Sequence, residues 1–461
     1  MTLGVVLGVT APAKATAAAA EASSNDAPWR LRDALDAPAW FRFGLEHRTR
    51  VEQLEHDFRA GNGGSPSAVS LRTLLSAEVA FSALVVGAEV QDSRAYANRD
   101  TPLSTAIVNP LEPLRAYVGL RFESLFSDGD RAALTLGRMT LDIGSRRLVT
   151  RTEFRNTINS FTGIDLQWTS DEGRLLRAFA VVPVVARPSD PAELSRNRIE
   201  LDQENLHAGL WGVFFAAPAP APGLTLESYV LGLHESDSAL EATSNRRLVT
   251  PGLRLLKAPT AGQLDFQVEL MGQLGTSRAS RAVTDTIDLT HRAGSIHASI
   301  GYLFDAAAAP RLALQGDYAS GDKRPDDRLN GRFDPLFGDR RFELGPTGVY
   351  GAFARSNLRS LGARFELAPA RCLDAFVAYR SFWLAAARDA WTTADVRDPS
   401  GSSGRFLGQQ LEARVRWHIL PRNLVFEIGA AALFRGRFAV VAPGGRDDTP
   451  LYGYTQLTAT L

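Results

Sequence analysis

Along long stretches of this chain the side chains sort by odd and even position, and that sorting limits the fold more than any motif does. From Phe41 to Glu52, Phe41, Phe43, Leu45 and Val51 share one parity while Arg42, Glu46, Arg48, Arg50 and Glu52 share the other. Such a period belongs to a strand, because a helix would mix the two sets. Leu264, Phe266, Val268, Leu270 and Leu274 oppose Asp265, Gln267, Glu269 and Gln273 in the same way, and the alternation returns over Gln410 to Ile419 and Leu424 to Arg435. Each run is about ten to fourteen residues, long for a soluble strand and suited to a tilted bilayer crossing.

About eighteen such segments can be read between residues 41 and 461, an even number as bacterial barrels require. Short links near Phe81-Ser82, Ser170 to Gly173 and Leu420-Pro421 alternate with long ones such as 143–159, 186–203, 320–356 and 386–404. This is the rhythm of periplasmic turns and outer loops. Segments 132–142, 174–185 and 246–257 have mixed faces, and Pro251 requires an unpaired or bulged position. The expectation is an all-β fold, a single antiparallel transmembrane β-barrel. Residues 1–17 are read as a signal peptide, 18–40 as a leader and 41–461 as the barrel.

Lipid must lie on the apolar side. An open edge in hydrocarbon would leave backbone groups unpaired, so the sheet has to close. An arginine facing lipid near the midplane costs roughly 2–4 kcal/mol. Arg42, Arg48, Arg50, Arg72, Arg115, Arg121, Arg364, Arg380, Arg414 and Arg416 therefore face the lumen or sit at the rims. No run of eighteen or more strongly apolar residues offers a helical span. The N-terminus reads as an export signal, with the short apolar core Leu3 to Val9 followed by the small-residue sites Ala13-Lys14-Ala15 and Ala15-Thr16-Ala17.

Composition removes other classes. With 51 basic and 51 acidic residues, the chain lacks the bulk charge of a nucleic-acid binder. Cys372 is the lone cysteine, so neither an intrachain disulfide nor a cysteine-built metal site can form. The seven histidines have no metal spacing, and no cofactor is expected. Asp322, Asp326, Asp327 and Asp334 offer oxygens in loop 320–356, but not at the spacing of a calcium loop. No hydrolase, zinc-protease or nucleotide motif is present, so no catalytic residue is assigned. Lysine occurs only at Lys14, Lys257 and Lys323, leaving arginine as the cation, whose fork suits carboxylates.

Phe333-Asp334-Pro335-Leu336-Phe337 followed by Tyr350-Gly351, with Tyr318 to Asp322 upstream, resembles the FDPLF and YASGD elements of the alginate export family. Leu136-Gly137-Arg138 with Asn156, Phe161 and Gly163-Ile164-Asp165 is similar to that family's central region, and Gln410 to Leu461 to its closing strands. The resemblance implies an eighteen-stranded outer-membrane barrel passing an anionic uronate polysaccharide, with loops gating its ends. It assigns the electropositive lumen to Arg138, Arg414 and Arg416, then Arg72 and Arg155; Arg48, Arg50, Arg364 and Arg380 join them by parity. Asp322, Phe333, Asp334, Phe337 and Tyr350 are the candidate gating residues. Phe333, Leu336, Phe337 and Phe342 are too apolar to stay in water. The partners expected are anionic polysaccharide or small anions, outer-membrane lipid and periplasmic export components. An exporter, a small-anion uptake porin and a plugged structural barrel remain open alternatives.

Overall fold

The computed structural model describes residues 29–239 and 241–461. The expected signal peptide and residues 18–28 of the leader lie outside the described residues. Leu31–Ala34 forms a short helix before the first strand. No described helix is long and apolar enough to cross a membrane.

The barrel strands are β1 Phe41–Glu55, β2 Ser67–Phe81, β3 Leu84–Tyr96, β4 Asn109–Glu123, β5 Arg131–Met139 and β6 Phe161–Thr169. Next come β7 Leu175–Val185, β8 Ala208–Pro218, β9 Leu224–Glu235, β10 Arg247–Lys257, β11 Gln263–Ser277 and β12 Leu289–Leu303. The last six are β13 Arg311–Ala319, β14 Leu358–Ala370, β15 Leu373–Trp383, β16 Phe406–Leu420, β17 Leu424–Arg435 and β18 Leu451–Thr460. Every strand pairs antiparallel with its sequence neighbour, and β18 returns to β1, with Glu55 opposite Leu451 and Glu46 opposite Thr460. The result is a closed sheet of 18 strands, with no edge exposed to hydrocarbon.

The parity reading holds strand by strand. On β1 Arg48, Arg50, Glu52 and Leu54 are buried inside while Val51 is 47% exposed on the outer wall. Leu75, Leu136, Leu264 and Ile300 are likewise exposed outward. Aromatic residues gather at the short-turn end, where Trp40 stacks on Phe81 at 5.4 Å and Tyr302 meets Phe304 at 4.8 Å. Such girdles sit where hydrocarbon meets headgroups.

Two differences have physical causes. The eighth strand, for which the sequence pattern predicts residues 204–216, starts at Ala208. Gln203 and Glu204 instead pair separately with the end of β7, and Leu206 bulges outward, 79% exposed. Pro251 pairs normally with Val230, but register to β11 lapses at Thr250 and Pro251, as expected of a residue without an N–H.

The interior is not simply a wet channel. Loops 140–160 and 320–357 fold inward and bring apolar side chains with them. Phe154, Tyr350, Phe353 and Phe382 join Phe58, Trp391, Tyr452 and Tyr454 in one buried cluster. Leu141, Val149 and Phe333 pack with Phe161, Phe179 and Phe214 in another. The charged parity of the wall therefore meets folded loop as well as water.

Candidate functional site

Arginines on β1 and β2 hold loop 140–160 in place. Arg48 donates to the carbonyl oxygens of Glu153 (2.6 Å) and Arg155 (2.8 Å). Arg50 donates to the carbonyl of Phe154 at 2.6 Å and to Gln456, with its guanidinium 3.9 Å from the Phe154 ring centre. Arg72 bridges the Glu153 carbonyl (2.9 Å) and the Glu46 carboxylate (2.8 Å). Asn156 fastens the loop tip from the other side, donating to carbonyls of Leu71, Arg94 and Ile107. Carbonyl oxygens of an irregular loop need donors, and buried guanidinium groups need acceptors, so the two requirements are met together.

Loop 320–357 docks against loop 140–160 and the opposite wall. Phe337 donates its N–H to the Leu148 carbonyl (2.9 Å), receives the Thr150 N–H (3.2 Å) and lies edge-on to Phe161 at 5.1 Å. Phe333 is fully buried, and Asp334 takes two bonds from Arg246 at 2.9 and 3.0 Å. Tyr350, also fully buried, donates to Gln410 at 2.8 Å and stacks on Tyr452. Asp322 sits at the outer end, where its N–H reaches Asp389 at 2.8 Å. Phe342 lies in the short helix Arg341–Leu344, its side chain outside those described. The four aspartates of this loop do not converge, and the described residues contain no cluster able to hold a metal ion.

The remaining expected lumenal arginines are ion-paired. Arg138 is held between Glu204 at 2.7 Å and Glu112. Arg364 pairs with Glu366 (2.7 Å), Arg380 with Asp317 (2.6 Å), Arg414 with Asp374 (2.8 Å) and Arg416 with Glu427 (2.6 Å). Arg155 differs, for no carboxylate lies within 4 Å of it among the described residues. Loss of water lowers its affinity for the proton, with Asp339 opposing.

Parity missed the arginines of the loops. Arg147 donates to Glu269 (2.5 Å) and Glu343 (2.7 Å), and Arg355 also bonds Glu343, so two inward loops and β11 meet at one buried network. Arg341 reaches Glu412 at 2.6 Å. Arg340 has no carboxylate partner within 4 Å among the described residues. Burial, together with the neighbouring charges of Arg155, Arg59 and Arg355 against Asp339, pulls its pKa down to about 10. Arg155 and Arg340 thus form a pair of cations without a bonded carboxylate among the described residues, offset only in part by Asp339, where the two loops approach. Outward of them a cavity of about 200 Å³ is lined by Arg246, Arg278, Arg332 and His291. The available signal was the arginine density of residues 332–355.

Removing Arg147 leaves the buried Glu269 without a bonded cation and Glu343 with Arg355 alone. Arg147→Ala is expected to destabilise the barrel by about 3–5 kcal/mol, measured as a lowered denaturation midpoint by tryptophan fluorescence in micelles; a midpoint within error of the wild type refutes the network's role.

Loop 186–207 is fastened by a titratable group. Asp202 accepts from the Arg187 N–H and the Asn109 amide, each at 2.8 Å, while its own N–H reaches Glu112 at 2.9 Å. Burial, helped by the Glu112 charge, pushes its carboxyl up to about 7. The folded state then holds a proton that the unfolded state releases near its ordinary value. This contribution is fully present at low pH and is lost as pH rises to about 7. Amide exchange in 186–207, corrected for intrinsic rate, should quicken between about pH 5 and 8 in the wild type and stay level in Asp202→Asn; identical profiles would contradict this.

The alginate export family model matches residues 39–448, nearly the whole barrel. The chain belongs to the alginate export family. Solved barrels share its fold at low identity. OccK2 (OpdF) of Pseudomonas aeruginosa aligns with 91% of this chain and 97% of its own at 12% identity and a TM-score of 0.56. OccAB1 of Acinetobacter baumannii covers 91% and 96% at 13% identity and a TM-score of 0.59. A further OccK2 structure, in complex with glucuronate, covers 91% and 98% at 14% identity and a TM-score of 0.55. No curated protein matches the sequence. This alginate export family member is a bacterial outer-membrane protein with the fold of a channel.

Proposed function

We propose that this barrel conducts carboxylate-bearing solutes, uronate polysaccharide foremost, and that Arg155 and Arg340 hold the carboxylates in passage. The observation that carries the reading is that, among the described residues, no carboxylate lies within 4 Å of either cation, Asp339 acting on both only from farther off, while the other expected lumenal arginines spend their donors on carboxylates or loop carbonyls. A pair held by no direct ion pair in a narrow, low-dielectric passage concentrates anions and offers them planar, bidentate donors. Pairing of the surrounding arginines keeps the field local, so a solute can leave as well as enter. Membership of a family named for alginate export supports a polymer as the solute. Conduction needs no bond making, and no catalytic role is assigned.

A second reading, uptake of small organic anions, draws on the inward loops that narrow the lumen and on the glucuronate complex of a barrel sharing the fold. Planar-bilayer recordings separate the two. Polymer transport predicts anion-selective conductance blocked by polyuronate at uronate-residue concentrations where glucuronate has little effect. Equal block by monomer favours uptake, and cation preference defeats both.

A further inference from the structure

The outer wall carries a groove that conduction through the lumen does not use. Pro251 on β10, Gly272 on β11 and Gly294 on β12 face outward in one row, the two glycines being direct partners across the strands. With no side chains there, the wall sinks into a groove of about 510 Å³. Leu253, Leu270, Ile296 and Tyr318 form its periplasmic bank. A β-carbon added at Gly272 or Gly294 would meet nothing nearer than 3.8 or 3.4 Å, so barrel packing does not demand glycine at either position.

The extracellular bank is basic. Arg292 stands beside Leu274 in the next row toward the long loops, and Arg247 one row higher beside Thr276. Arg359 closes the far end, 5.4 Å from the Tyr318 ring centre. All three are exposed, and the side chains of Arg247 and Arg292 have no hydrogen-bond or ion-pair partner among the described residues. Elsewhere the extracellular strand ends turn Tyr96, Trp383, Phe434 and Leu451 outward, the usual content of a lipid-facing rim. Unpaired guanidinium groups on this face need anions supplied from the membrane itself, and their fork suits phosphate. One row along a strand is about 7 Å, so Arg292 lies a headgroup's distance above the apolar floor.

We propose that this groove binds a phosphorylated glycolipid of the outer leaflet, with an acyl chain over Gly272 and Gly294 and a phosphate between Arg292 and Arg247. The extracellular position selects the outer leaflet, and charge complementarity selects the phosphate. Lipid retained by the complete barrel in detergent can be read by native mass spectrometry, using bisphosphorylated lipid A and its dephosphorylated form as probes. The wild type is expected to retain the phosphorylated form about tenfold better, the advantage of roughly one net charge-assisted hydrogen bond. The pair Arg247→Gln with Arg292→Gln removes that preference, and Gly272→Leu with Gly294→Leu fills the groove and lowers retention. Heat-modifiable mobility and unchanged conductance establish that each variant remains a folded channel. Equal retention of both lipids by the wild type, or retention that survives either double substitution, overturns the proposal.

Discussion

Converting Arg155 and Arg340 together to glutamate is expected to turn an anion-preferring pore into a cation-preferring one. The change in permeability ratio should be on the order of tenfold or more, the scale on which focused charge alters local ion concentration. Two charges change sign, a net change of four units, at a place where Asp339 offsets the original pair only in part. Reversal potentials across a salt gradient give the ratio directly. Arg340 alone supplies an internal check, because its lowered proton affinity means that its charge fades as pH passes about 10. Wild-type anion preference should weaken over that range, and Arg340→Gln should start from the weakened level. If the double reversal leaves selectivity where it was, these two side chains do not meet the permeating ion and the proposed path is misplaced.

The wall of this barrel was legible because each strand repeats one rule, apolar outside and polar inside, for ten or more residues. Arg48, Arg50 and Arg72 were placed on the correct face by that rule. Their use was not legible, since the acceptors are backbone carbonyls of residues 153–155 more than 80 positions away. Loops 140–160 and 320–357 have no period to read, and their depth in the lumen follows from burial of Phe154, Phe333 and Tyr350 against both walls. Family resemblance brought Arg155 forward, yet neither it nor parity marked Arg340. That residue stands out only after closure shows which arginines have found carboxylates. A charged loop read in isolation is a solvated one; the fold decides otherwise by enclosing it.

The inward loops also set the second large effect. Replacing residues 331–353 with a short glycine–serine link removes Phe333, Tyr350 and Phe353 from the interior, together with Arg340, Arg341 and Glu343. Conductance should rise severalfold, because material that now fills the lumen is replaced by water while the 18 strands keep their pairing. Stability should fall, but less than a count of lost ion pairs suggests. Glu52, Gln273, Gln410 and Glu412 lose loop partners at the moment the cavity floods, and water then satisfies groups that would be stranded in a dry interior. Arg147→Ala removes one partner without admitting that water, which makes the point substitution disproportionately costly. Anion preference should also decline in the shortened chain, since Arg340 leaves with the loop and Arg155 faces a wider, better screened passage. Single-channel recording tests both features at once. Higher conductance with unaltered selectivity would place the selective element on the wall, at Arg380, Arg414 or Arg416, and no conductance at all would make loop 140–160 a complete plug.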